Sequence, residues 1–189
     1  MYQPLINFLQ LFKNIPQQDE VAISNAVTFK KVKAGEVLLE TGTTATEFFF
    51  IAKGILKISL LNEKGNSVTY FFMKENQFCT ILNSFNNNVT SHESIIAATD
   101  AELIVFTKAS LLALYEQLPY FKELLHGITQ QSLLDKIQLK NSYLGEDASS
   151  RYHKFLVNQS DIALRVALSD VASYLGITQQ SVSRIRKNK

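Results

Sequence analysis

Apolar residues follow three successive rhythms along the chain, and each predicts a different kind of structure. Over residues 1 to 26, Leu5, Phe8, Leu9 and Phe12 recur at helical spacing. Pro16 then interrupts, ahead of a second short helix holding Val21 and Ile23. Residues 27 to 107 carry Phe and β-branched residues in short runs: Phe48 to Ile51, Ile55 to Leu61, Val68 to Met73 and Leu103 to Phe106. Turn signals separate these runs at Ala34-Gly35-Glu36, Thr41-Gly42-Thr43, Lys53-Gly54 and Glu63-Lys64-Gly65-Asn66. The last reads as a hairpin tip between strands at Leu56–Leu60 and Val68–Phe72. Strands recurring about every ten residues predict an antiparallel barrel or sandwich.

From Lys108 the rhythm is helical again. Leu111, Leu112, Leu114, Tyr115 and Leu118 lead to Pro119, a residue suited to the first turn of a new helix. That helix is predicted to run to about Tyr143, with Phe121, Leu124, Leu125, Ile128, Leu133 (or Leu134) and Ile137 on one apolar stripe. At about 1.5 Å per residue it is roughly 37 Å long, more than a small barrel covers. The stripe therefore predicts a partner helix from a second copy; the alternative is a helix lying across its own barrel. Gly145 is expected to end it, and Asp147 or Ser149 to cap the next helix, which carries Tyr152, Phe155 and Leu156.

The most specific pattern spans Leu168 to Lys187. Ser169 is expected to cap a helix whose first turn holds Asp170, and Ala172 to permit a close helix crossing. Gly176 suits a tight turn with positive φ, Ile177 plugs beneath it, and Thr178 caps a second helix anchored by Val182 and Ile185. This is a helix-turn-helix. Its outward residues are Gln179, Gln180, Ser183, Arg184 and Lys187. Gln pairs bidentately with adenine and Arg with guanine, so Gln179, Gln180 and Arg184 are the candidate base contacts. Thr178, Ser181, Arg186, Lys187 and Lys189 are the candidate phosphate contacts.

Charge supports this picture. Net charge is +2, yet Arg151 to Lys189 holds seven Lys/Arg against two Asp/Glu, leaving −3 on the first 150 residues. The asymmetry predicts a polyanion partner for the tail. One cysteine, Cys79, permits no internal disulfide and is expected to be a small buried apolar residue. With no signal-like N-terminus and no membrane-length apolar run, a cytoplasmic location is expected, without a membrane partner.

Together the halves resemble the Crp/Fnr family of transcription regulators over nearly the whole chain. In the first half the resemblance rests on Gly35-Glu36, Gly42 and Gly54, with Phe48 to Ile51 before the last glycine. In the second it rests on Arg151-Tyr152-His153-Lys154-Phe155-Leu156, Arg165-Val166, the run Val171 to Ile177, and Ser183-Arg184-Ile185, which looks very like the recognition region of Bacteroidetes-type members. The resemblance implies an α+β protein: a jelly-roll-like β-barrel sensor of the cyclic-nucleotide-binding type over 1–118, a dimerisation helix over 119–143, and an all-α helix-turn-helix domain over 144–189. It implies a homodimer on palindromic double-stranded DNA, with RNA polymerase as a further partner.

Two departures stand out. Cyclic-AMP-binding members carry Gly-Glu and, some ten residues on, Arg-Ser/Thr-Ala; Glu holds the ribose and Arg the cyclic phosphate. Aligned through Phe78 and Phe85, this chain has Thr80-Ile81 and Ser91-His92-Glu93 at those places, and no Lys or Arg between Glu75 and Lys108. A buried cyclic phosphate would lack its charge-assisted bonds. The effector pocket, expected at Thr80, Ile81, Ser91, His92 and Glu93, is thus predicted to take a small molecule other than cyclic AMP bound in the usual way, or none. The sequence also stops at Lys189, so the family's β-hairpin wing is expected to be missing.

No metal site is expected. One cysteine cannot hold an iron–sulfur cluster, and His92, His126 and His153 read as ordinary histidines. No nucleophile–base constellation, phosphate loop or paired carboxylates point to an enzyme. The competing reading is a ligand-binding module whose helical tail makes protein contacts only. An exposed Gln179, Gln180 and Arg184 would argue against it.

Overall fold

The structure, a computed structural model, describes residues 1–187; Lys189, one of the candidate phosphate contacts, lies outside them. Two short helices, α1 (Gln3–Leu9) and α2 (Gln17–Asn25), open the chain. Eight strands follow: β1 (Thr28–Val32), β2 (Val37–Leu39), β3 (Glu47–Lys53), β4 (Leu56–Leu61), β5 (Ser67–Met73), β6 (Phe78–Cys79), β7 (Glu93–Ala97) and β8 (Ala101–Thr107). A short helix, α3 (Leu82–Asn87), sits between β6 and β7. The strands form two antiparallel four-stranded sheets, ordered β1-β8-β3-β6 and β2-β7-β4-β5. Of the two expected forms, antiparallel barrel or sandwich, the strands take the second, as two four-stranded sheets.

The hairpin at Glu63 to Asn66 forms as expected, with Leu61 paired to Ser67 across β4 and β5. Phe48, Phe49, Phe50 and Ile51 are all buried, because β3 is central in its sheet and covered on both faces. Phe12, expected within the first helix, lies beyond α1 and is exposed. Gly54 turns between β3 and β4 at φ +97°, where a Cβ would sit 2.5 Å from the Asp100 carbonyl oxygen. Only glycine fits that turn.

The helical half comprises α4 (Lys108–Gln117), α5 (Pro119–Asn141), α6 (Ala148–Asn158), α7 (Ser160–Ala163), α8 (Leu168–Leu175) and α9 (Gln179–Lys187). Thr107 caps α4 and Asp147 caps α6, each accepting from a backbone N–H three residues on. The long helix, α5, ends at Asn141, and Gly145 (φ +76°) shapes the turn after it. Ser169 does not cap α8: the helix starts at Leu168 from an extended Ala167, and no side chain caps it.

The two halves of α5 differ. Phe121, Leu125 and Ile128 are buried in the sandwich core. Leu133, Leu134 and Ile137 remain 41%, 46% and 43% exposed. The N-terminal half thus lies across its own sandwich, and the C-terminal half carries an apolar ridge that this chain leaves uncovered.

The tail helices share a second core with the outer face of the sandwich. Ile55 and Phe72 join Tyr152, Phe155, Ile162, Val171, Tyr174, Leu175 and Val182. Gln159, buried among them, donates to the Tyr143 and Tyr174 hydroxyls at 3.2 and 3.4 Å. β5 is the edge of its sheet, and α8 covers that edge: the Thr69 N–H donates to Ser173 Oγ at 3.0 Å. Three ion pairs fasten the same junction. Lys57 meets Asp170 at 2.5 Å, Lys74 meets Asp161 at 2.6 Å, and Arg165 grips both oxygens of Glu75.

Candidate functional site

The first candidate site is the outer face of α9. α8 ends at Gly176 in the left-handed region (φ +65°), and the Ile177 N–H closes the turn on the Ala172 carbonyl at 3.0 Å. Arg151 Nη1 donates to the Leu175 carbonyl at 2.7 Å, so α6 braces the turn. Thr178 Oγ1 accepts from the Ser181 N–H at 3.1 Å, which caps α9 as expected. Val182 is fully buried and fixes the helix's rotation. Gln179, Gln180, Arg184, Arg186 and Lys187 are consequently exposed, with Ser183 at the margin. Gln179, Gln180, Ser183, Arg184 and Lys187 share one shallow concave patch. The Thr178 and Ser181 hydroxyls lie 2.9 Å apart, each within reach of the other.

The second site is a cavity of about 240 Å³ between the sandwich and α5. Ile58, Phe71, Met73 and Phe78 supply apolar walls from β4, β5 and β6, with Thr80 and Ile81 beside them. Glu93 enters from β7, while Thr129, Ser132, Leu133 and Lys136 enter from α5. Of the expected pocket residues, the fold brings Thr80, Ile81 and Glu93 together here. Ser91 is buried to the side, where its hydroxyl accepts from the Glu93 N–H at 3.0 Å and lies 3.1 Å from the Glu93 carboxylate. His92 is exposed, and neither it nor Ser91 lines the cavity.

Lys136 is the residue the sequence reading missed. Thr129, Ser132 and Lys136 fall at i, i+3 and i+7, a polar line on the face of α5 turned to the sandwich. Burial holds the Lys136 ammonium pKa below the usual lysine range. Its neighbour Cys79 is 1% exposed, and burial pushes the thiol up to about 12, so Cys79 is an inert core residue.

A cyclic nucleotide is a poor fit to these walls. Ile81, aligned with the ribose-binding Glu, is apolar; Ser91, aligned with the phosphate-binding Arg, lies outside the cavity, and Glu93 brings an acid into it.

A sandwich with a long covering helix and a helix-turn-helix tail defines a class by its architecture. The comparisons make the class specific. Residues 29–118 match the family model of the cyclic nucleotide-binding domain. Among solved structures, the CLP regulator of Xanthomonas campestris, described as c-di-GMP responsive, superposes with TM-score 0.73 at 14% identity, covering 92% of this chain and 91% of that one. FixK2 of Bradyrhizobium japonicum gives 0.72 at 16% identity, covering 86% and 83%. A putative Crp/Fnr-family transcriptional regulator from Eubacterium rectale gives 0.66 at 17%, covering 96% and 87%. No curated protein matches the sequence. The chain has the Crp/Fnr fold, and its residues 29–118 form a cyclic nucleotide-binding domain.

Proposed function

We propose that this protein is a sequence-specific DNA-binding transcription regulator that acts as a homodimer. The observation that carries the reading is α9: one face is locked down by Val182, and the other presents Gln179, Gln180 and Arg184 to solvent. Gln and Arg reach adenine and guanine edges in the major groove, and residues near a recognition helix's start do so most readily. Arg186 and Lys187, with the Thr178 and Ser181 hydroxyls, add sequence-independent phosphate contacts. The uncovered ridge of Leu133, Leu134 and Ile137 supplies the dimer seam, as in a two-stranded coiled coil. Residues 1–118 act as sensor, 119–143 as dimer helix and 144–189 as reader. An effector in the sandwich cavity, which α5 itself lines, biases the seam and so the spacing of the two α9 helices toward about 34 Å, one turn of DNA. No helix among the described residues is long and apolar enough to cross a membrane.

The test is selection from a random duplex pool, with Arg184→Ala in parallel. Enrichment of a palindrome by the wild type, relaxed at one position per half-site in the variant, supports the reading. No enrichment at low salt, in the presence or absence of ligands, defeats it and leaves a ligand-binding module whose tail contacts protein.

A further inference from the structure

We propose that the cavity between the sandwich and α5 binds a small amphipathic carboxylate, with the Lys136 ammonium on α5 as its counter-ion. This rests on reading the cavity as the effector site. Its volume of about 240 Å³ is below the ~300–1,000 Å³ of drug-sized pockets, so the ligand is small. Its body is apolar, because Ile58, Phe71, Met73, Phe78 and Leu133 make the walls.

The head group follows from Lys136. An ammonium has three donors and no acceptor. Lys136 Nζ gives one to Gln77 Oε1 at 3.2 Å and one, long, to Ser132 Oγ at 3.4 Å. Both partners are neutral. Among the described residues no carboxylate pairs with it, although seven other ion pairs form. A partly buried cation whose hydrogen bonds go only to neutral oxygens has a place for an anion, and burial holds its pKa below the usual lysine range. A ligand carboxylate at its free donor completes the site with a charge-assisted bond. Glu93 also enters the cavity from β7, so the ligand carboxylate sits at the Lys136 end of it, away from that acid. Position matters as much as charge. Lys136 lies one residue from Ile137 and two from Leu134 on α5, so a carboxylate drawn to it pulls on the helix that carries the uncovered ridge.

The test is calorimetry on the full chain without DNA, using octanoate, 1-octanol and cyclic AMP on the wild type, Lys136→Met and Lys136→Arg. Octanoate is expected to bind one per chain and at least tenfold tighter than octanol. Lys136→Met should abolish that preference, and Lys136→Arg should keep most of it. A melting curve like the wild type's for Lys136→Met confirms that the fold survives; if it does not, Lys136→Gln takes its place. No saturable octanoate binding, equal affinity for octanol, tighter binding of cyclic AMP, or an unchanged affinity in Lys136→Met each overturns the proposal. None of these outcomes touches palindrome selection, so the DNA reading stands or falls separately.

Discussion

Replacing Glu75 by glutamine should loosen the sensor–reader junction in a pH-dependent way. Glu75 accepts from Arg165 Nη2 at 2.5 Å, Arg165 Nη1 at 2.9 Å and the Gly54 N–H at 2.6 Å. The Arg165 hydrogen bonds, foremost, hold its pKa at about 2 in the fold against an ordinary 4.5. At about 1.36 kcal/mol per pH unit that difference sets a ceiling of about 3.4 kcal/mol. Both side chains keep about a third of their surface in water, so solvent screening reduces the expectation to about 1–2 kcal/mol at pH 7. Because the folded pKa lies below the unfolded one, the stabilisation is complete above about pH 5 and vanishes as pH falls toward about 2. At pH 3 roughly two fifths of the neutral-pH value should survive. Urea denaturation of the wild type and Glu75→Gln at pH 7, 5, 4 and 3 measures the gap directly. A gap below about 0.5 kcal/mol at pH 7, or one that stays constant down to pH 3, would refute the reasoning.

Three further outcomes follow from other features. Gly54→Ala forces a Cβ into the Asp100 carbonyl and the Ala101 side chain at positive φ, and should cost about 3 kcal/mol or more, seen as a fall in Tm. Lys57→Met strands Asp170, since both side chains are less than a fifth exposed, and should cost about 2–3 kcal/mol; adding Asp170→Leu should restore most of it, and additive losses would count against the pair. Leu134→Glu with Ile137→Glu should give a monomer by sedimentation with a Tm within a few degrees of the wild type at equal low concentration, because both residues are exposed in the single chain.

The sandwich and the helix-turn-helix were legible because their signals are local. Turn glycines at 35, 42, 54 and 65 and the run Phe48 to Ile51 mark strands through backbone and burial demands that act within a few residues. Gly176, Thr178 and Val182 do the same for α8 and α9. The cavity beneath α5 was only half legible. Thr80, Ile81 and Glu93 follow from the family resemblance, aligned through Phe78 and Phe85, but Lys136 lies more than forty residues further along and reaches the cavity only because α5 folds back over the sandwich. Ser169 misled because a hydroxyl beside a helix start reads as a cap, whereas the helix already begins at Leu168. The junction ion pairs were invisible for the same reason as Lys136: Lys57 and Asp170 are 113 residues apart in the chain.

The second core has a consequence for how such a protein can be altered, by engineering or by descent. Ile55, in the turn before β4, and Phe72, on β5, belong to the sandwich, yet they form one wall of the tail helices' interior. A reader exchanged as a cassette from a cousin would arrive with that wall missing and an apolar flank open to water. The exchangeable unit is therefore larger than α8 and α9 and must carry the matching edge of β5 with it. On the proposed reading, freedom to change operator preference lies on the outer face of α9, where Gln179, Gln180 and Arg184 are exposed.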